Sequence, residues 1–264
     1  MSMVALGSVK GAPGVTTATV ALAGVWPGRV VIAECDPSGG DIAARFGLPS
    51  APGLLSLASQ SRHQVRAELL WSHLQRLPPG GVPVLVGVRA PEQAAAMGRV
   101  WGLLPQALAG LGVDVLIDCG RLLPGAPTEH VLDAADLTLL VAQPTVEEIA
   151  HLEWRLGVLE QSGHKAAVVL AGETPYDRRT VASRLAADGL RSPVLGALAE
   201  DPEAASELCG RPRRRRSSVL ARSYLVRSAR ELADRLATRL ATSPGGIGGT
   251  SSYSVEEVGR DGAD

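Results

Sequence analysis

Residues 7 to 17 read Gly-Ser-Val-Lys-Gly-Ala-Pro-Gly-Val-Thr-Thr and lie between an apolar run at residues 3–6 and an Ala/Val/Leu-rich segment at residues 18–25. A buried strand, a glycine-rich turn and a helix start, in that order, leave few options for the rest of the fold. The strand needs parallel neighbours, and the helix must cross over the sheet to reach the next one. Free backbone N–H groups at the helix start converge with the helix dipole, so the turn is shaped for an anion such as phosphate. Gly11 and Gly14 let the backbone curl, and Thr16 is placed to offer its hydroxyl to a magnesium ion. In the pattern GxxxxGK[ST] a lysine precedes that threonine, and here the position holds Val15.

The rest of the chain continues the alternation. Apolar runs at residues 3–9, 29–34, 82–88, 113–118, 137–142, 166–171 and 194–198 read as strands, and residues 16–25, 91–111, 146–161 and 177–188 read as helices. This predicts one α/β domain, a doubly wound and mostly parallel sheet flanked by helices, over residues 1–241. Residues 52–77 are less regular and read as short helices, closed by the turn signal Pro78-Pro79-Gly80-Gly81. Leu225, Ala229, Leu232, Leu236 and Leu240 repeat at helical spacing, which predicts an amphipathic C-terminal helix over about residues 218–241 that packs on the sheet. From residue 242 the composition turns to Gly, Ser and acids, the signature of a disordered tail over 242–264.

Composition narrows the function classes. A net charge of −1 argues against a globally basic nucleic-acid binder, and 3 % aromatic residues leave little for base stacking. Lys10 and Lys165 are the only lysines among 26 basic residues, so a lysine retained inside the glycine-rich turn points to a specific task. Cys35, Cys119 and Cys209 form no CxxC pair and are odd in number, which reads as a reducing, cytoplasmic setting. No run of about 18 uncharged apolar residues is present to span a membrane.

Two further stretches carry acids where parallel sheets place ligands, at the C-terminal tips of strands. The second strand ends in Glu34-Cys35-Asp36-Pro37, and the strand at 113–118 ends in Asp118-Cys119-Gly120. Each acid alone could be a helix cap or a solvated loop residue. Three tips in this order are harder to dismiss. Cys35 and Cys119, beside these acids, read as small buried residues at strand ends.

Together these stretches resemble the MinD/ParA family of P-loop ATPases. Lys10-Gly11-Ala12-Pro13-Gly14-Val15-Thr16-Thr17 is similar to its deviant Walker A box, KGGxGK[ST]T, and Glu34-Cys35-Asp36-Pro37 to its DxDP element. Residues 135–145 resemble the strand after Walker B, and Val194-Leu195-Gly196 with Asp201-Pro202 the late strand and loop, so the similarity spans about residues 3–210. Gly53-Leu54, Val84-Leu85 and Ala90-Pro91-Glu92 are also like the pilus- and secretion-associated CpaE/TadZ branch.

The resemblance implies a cytoplasmic, ATP- and Mg²⁺-dependent homodimer with the P-loop NTPase fold. It implies that Lys10 reaches across the dimer to the partner's nucleotide. Gly11, Gly14 and Thr17 would line the phosphates with Ala12, Pro13 and Val15 in the same loop. Thr16 and Asp118 would hold magnesium, and Glu34, Asp36 and Asp118 would serve the chemistry. It also implies a protein partner in a pilus, secretion or partitioning machine, with the chain peripheral at the membrane through that partner. In this family C-terminal basic residues touch nonspecific DNA, a role that Arg211, Arg213, Arg214, Arg215 and Arg216 would take, although a charge run is more often simply solvated.

The departures bear on activity. Ala12 replaces a glycine, Val15 the phosphate lysine, and Gly172-Glu173 stands where an Asn often contacts adenine. Losing a charge-assisted phosphate contact costs about 1.5–3 kcal/mol, so affinity is expected to fall tenfold or more and hydrolysis to be weak or absent. A pseudo-ATPase scaffold that binds no nucleotide is the rival expectation. A Rossmann oxidoreductase is disfavoured, because no GxGxxG follows the first strand.

Overall fold

The computed structural model describes residues 1–11, 13–61, 64–78, 81–210 and 223–242. In chain order its elements are β1 (Met3–Ser8), α1 (Val15–Gly24), β2 (Val30–Glu34), α2 (Ile42–Phe46), α3 (Leu54–Gln60), α4 (Ala67–Ser72), β3 (Gln75–Arg76), β4 (Pro83–Leu85), α5 (Pro91–Ala96) and α6 (Val100–Ala109). There follow β5 (Asp114–Arg121), α7 (Glu129–Ala134), β6 (Leu137–Ala142), α8 (Val146–Gln161), β7 (Ala166–Ala171), α9 (Arg178–Ala187), β8 (Val194–Leu198), α10 (Pro202–Leu208) and α11 (Tyr224–Thr242).

The strands form one eight-stranded sheet in the order β3-β4-β2-β5-β1-β6-β7-β8. Every pairing is parallel except that of the two-residue edge strand β3 with β4. Parallel strands covered on both faces should be apolar at every position, and β1, β2 and β6 are buried along their whole length. The pleat divides them between two cores. In β1, Met3 and Ala5 join the layer under α3–α8 with Trp101, Leu104 and Leu152, whereas Val4 and Leu6 join the layer under α1 and α11 with Leu22, Leu232 and Leu236. Each large apolar side chain fully buried this way contributes about 1.5–3 kcal/mol.

The doubly wound sheet expected from the alternation is present, and β6, α8, β7 and β8 match their expected bounds. Two expectations fail: the strand expected over 82–88 is only the three residues of β4, and the long helix expected after it is broken. Residues 91–111 do not form a single helix, because Gly98 takes a left-handed conformation, φ 50°, between α5 and α6. The short helices expected in 52–77 are α3 and α4, but β3, α2, α7 and α10 were not foreseen. The C-terminal stripe is as expected: Leu225, Ala229, Leu232 and Leu236 are buried, and α11 packs on α1 and β8. That cover explains why α1, rich in Ala and Val, has no polar face. The tail over 243–264 lies outside the described residues, as does the stretch 211–222 with its arginines. No described helix is long and apolar enough to cross a membrane.

At the N-terminal ends of the strands, Asp114 accepts from the Ser2 N–H at 2.8 Å and from Trp26 Nε1 at 2.9 Å, and Asp136 accepts from the Met3 N–H at 2.8 Å. These stitches fix the start of β1. The opposite end of the sheet is left to carry the site.

Candidate functional site

Glycines at the end of β1 and in the loop after it are pressed by neighbours or held at positive φ. A Cβ on Gly7 would stand 2.5 Å from Leu122 Cγ, and Gly11, at φ 66°, presses against Glu148 with 2.9 Å between an added Cβ and Oε1. Gly14, at φ 94°, is the N-cap of α1 and supplies no side-chain acceptor. The first-turn N–H groups of α1 therefore have no side-chain cap. A polar atom waiting there would be matched by an anion.

Register brings the acids level with this turn. Asp118 pairs across the sheet with Leu6 of β1 on one side and Glu34 of β2 on the other. Asp118 is fully buried; its Oδ1 accepts from the Gly120 N–H at 3.0 Å, and its Oδ2 has no hydrogen-bond partner. Burial raises its pKa, while the Thr16 hydroxyl, the Gly120 N–H and the Arg45 charge favour the carboxylate. A buried, orphaned carboxylate oxygen beside a threonine hydroxyl suits a hard cation such as Mg²⁺. Thr16 and Asp118 are thus the residues that could hold one. Among the described residues no cluster of three or more His, Cys, Asp or Glu side chains could hold a metal unaided.

Glu34 is held differently. Its Oε1 accepts from the Ile42 N–H at 2.8 Å and its Oε2 from the Gly87 N–H at 2.7 Å, with Gly40 packed so closely that any Cβ would collide with the carboxyl group. Burial pushes its pKa from 4.5 up to about 7, with Asp118 adding to the rise against the two N–H donors. Asp36 is half-buried, accepts from the Ser38 N–H at 2.8 Å, and is likewise raised by burial. Cys35 and Cys119 are free and buried, and burial raises both thiols far above their usual range, so they are inert packing groups.

Glu34, Asp36, Asp118, Thr16 and Thr17 therefore gather at one end of the sheet. Two loop residues, Val15 and Lys10, stand apart from them. Val15 is buried, 6 % exposed, in the apolar layer with Leu6 and Val20. Lys10 is exposed and lies over α8, its Nζ 3.1 Å from His151 Nε2, with its charge favouring the carboxylates of Glu147 and Glu148. Ala12 lies outside the described residues, between Gly11 and the buried Pro13. Beside the loop opens a cavity of about 430 Å³, lined by Pro13, Gly14, Thr17, Gln143, Glu200 and Asp201 among others.

Sequence reasoning missed Arg45, whose Nη1 donates to Thr17 Oγ1 at 3.2 Å. It also missed Glu148, which accepts from the Gln143 N–H at 2.8 Å and seats the loop on α8. The only signal for Arg45 was its spacing of four from Asp41, which it pairs with at 2.8 Å.

No family model matches the sequence. Two uncharacterized proteins of Mycobacterium tuberculosis, Rv3660c and MT3760, are each 33 % identical over 225 residues, covering 83 % of this chain. The chain spans 61 % of the length of these relatives. Among solved structures, the septum site-determining protein MinD of Pyrococcus horikoshii, complexed with Mg-ADP, superposes with a TM-score of 0.68 at 21 % identity, covering 91 % of this chain and 99 % of that one. The cell division ATPase MinD of Pyrococcus furiosus gives 0.70 at 20 % identity, over 90 % and 99 %. A ParA family ATPase of Chlorobium tepidum gives 0.69 at 16 % identity, over 89 % and 98 %. With its parallel sheet, its glycine loop at the end of β1 and its acids at the tips of β2 and β5, the chain carries the fold of the MinD/ParA family of P-loop ATPases.

Proposed function

We propose that this chain is a MinD/ParA-like nucleotide switch. In this reading it binds ATP with Mg²⁺ through a deviant Walker A loop, hydrolyses it weakly or not at all, and uses the bound state to dimerise and position a partner machine. That machine is a pilus or secretion apparatus or a partitioning system. The observation that carries the reading is the buried Asp118 carboxylate, whose Oδ2 makes no close hydrogen bond and whose charge the nearby Thr16 hydroxyl favours, together with the start of α1 that has no side-chain cap. A magnesium nucleotide supplies the two charges this arrangement lacks, a cation for Asp118 and an anion for the N–H groups. The cavity at Pro13, Gly14 and Thr17 adjoins the loop where a nucleoside would extend.

The residues present divide the tasks unevenly. Thr16 and Asp118 hold the metal, and the N–H groups of the first turn of α1 take the phosphates. Glu34 gives both carboxylate oxygens to backbone donors, so it braces the second strand tip against Gly87 and Ile42. Asp36 is the acid left to orient a water. Lys10, resting on His151, is free to swing toward a second copy of the chain.

Calorimetric titration with ATP–Mg²⁺ and measurement of molar mass by light scattering test this together. The wild type is expected to bind in the micromolar to millimolar range and to shift toward a dimer. Lys10→Ala is expected to bind nucleotide about as well as a monomer and to lose the shift. A wild type that shows no binding at millimolar ATP overturns the reading in favour of a nucleotide-free scaffold of the same fold. The packing of Val15 into the apolar layer is the observation that favours that second reading.

A further inference from the structure

The cation missing from position 15 has a structural replacement, and the geometry points to Arg45 as the phosphate-neutralising residue of this loop. Resting on the nucleotide reading above, this assigns to α2 a task that a loop lysine performs in the pattern GxxxxGK[ST].

Four observations carry it. Arg45 Nη1 donates to Thr17 Oγ1 at 3.2 Å, in the first turn of α1, where a bound phosphate would meet the helix start. The same nitrogen lies 3.6 Å from Cys209 Sγ, which carries no carboxylate to compete for it. The other terminal nitrogen, Nη2, bonds Asp41 Oδ2 at 2.8 Å, but that carboxylate is 62 % exposed, and a pair with so exposed a partner is weak and screened. The Arg45 side chain is only 21 % exposed, and its charge acts on Asp118 in the sense that favours its carboxylate.

The placement is also enforced. Gly210, just after α10, packs against the backbone carbonyl of Arg45 with no room for a Cβ, which holds the end of α2 close against the end of α10. Asp41 aims the fork from one turn earlier on α2. A planar guanidinium with one terminal nitrogen free to exchange Thr17 for an anionic oxygen is well matched to phosphate. Val15 meanwhile fills the apolar layer, so the two changes together amount to an exchange of the cation between elements.

Binding of ATP–Mg²⁺, of sodium tripolyphosphate and of adenosine by wild type, Arg45→Ala, Arg45→Lys and the double variant Arg45→Ala/Val15→Lys tests the assignment, with circular dichroism to verify folding. A lost charge-assisted phosphate contact is worth about ten- to a hundredfold in affinity. Arg45→Ala is therefore expected to weaken ATP and tripolyphosphate by that factor while leaving adenosine unchanged, a split that a merely structural role would not produce. Arg45→Lys should lose less, and restoring lysine at position 15 in the double variant should recover most of the loss. Wild type that binds ATP, with Arg45→Ala within twofold of it, overturns the role of Arg45 alone. Wild type that binds tripolyphosphate through Arg45 but not ATP overturns the nucleotide reading and leaves Arg45 as an anion site. Binding of neither probe overturns both.

Discussion

Stability is expected to fall by about 3 kcal/mol as pH rises from 4.5 to 7, because of Glu34. Its pKa is 4.5 in the unfolded chain and about 7 in the fold, where burial opposes the charge. Between those values the native state retains a proton that the unfolded chain has released, so the slope of unfolding free energy against pH is negative through the window. The contribution is fully present below pH 4.5 and gone above about pH 7. Asp36 and Asp118 are also raised by burial and act in the same direction. Urea unfolding at half-unit intervals from pH 4 to 8 measures the effect. Glu34→Gln isolates it: below pH 4.5 the variant should be about 1–3 kcal/mol less stable than wild type, because the amide NH₂ must face the N–H of Ile42 or Gly87, and the flattened pH slope should close or reverse that gap by pH 7. A wild-type stability that is level or rises over this range would refute the account.

Gly120→Ala is expected to destabilise by about 2–4 kcal/mol and to disorganise the acidic tip. Two causes add. At φ 59° a Cβ is strained by about 1–2 kcal/mol, and it would also occupy the position of the Asp36 carboxylate, driving that group off the Ser38 N–H. Gly112 provides the control, since it has φ 69° and nothing within 4 Å of an added Cβ. Gly112→Ala should therefore cost about 1 kcal/mol, from strain alone. Adding Asp36→Ala to Gly120→Ala should return part of the difference. Equal urea midpoints for the two alanine variants would show that Asp36 does not press on Gly120.

The part of the site legible in the sequence is the part made by local chemistry. Gly14 before Thr16 announced a turn and a helix start, and Asp118 closing an apolar run announced a strand tip. Both are encoded within a few residues. The contacts that decide how the loop works are not. Lys10 meets His151 across 141 positions, Glu34 meets Gly87 across 53, and Arg45 meets Thr17 across 28. No periodicity spans such separations. The break between α5 and α6 was missed for a different reason, since the apolar spacing runs through Gly98 and only its φ interrupts the helix.

The sequence by itself determined the class of fold, the loop and the order of the acidic tips, because hydrophobic period and glycine placement act on neighbouring residues. The sheet order β2-β5-β1-β6 decided the rest by setting Glu34 and Asp118 side by side, and tertiary contacts brought Arg45 to Thr17 and Glu148 to Gly11. Val15 turned into the core for the same reason: an apolar side chain at the start of a covered helix gains more from the layer beneath α11 than from a polar loop. Packing, not local sequence, therefore took the side chain at position 15 out of the loop and set the Arg45 guanidinium beside Thr17.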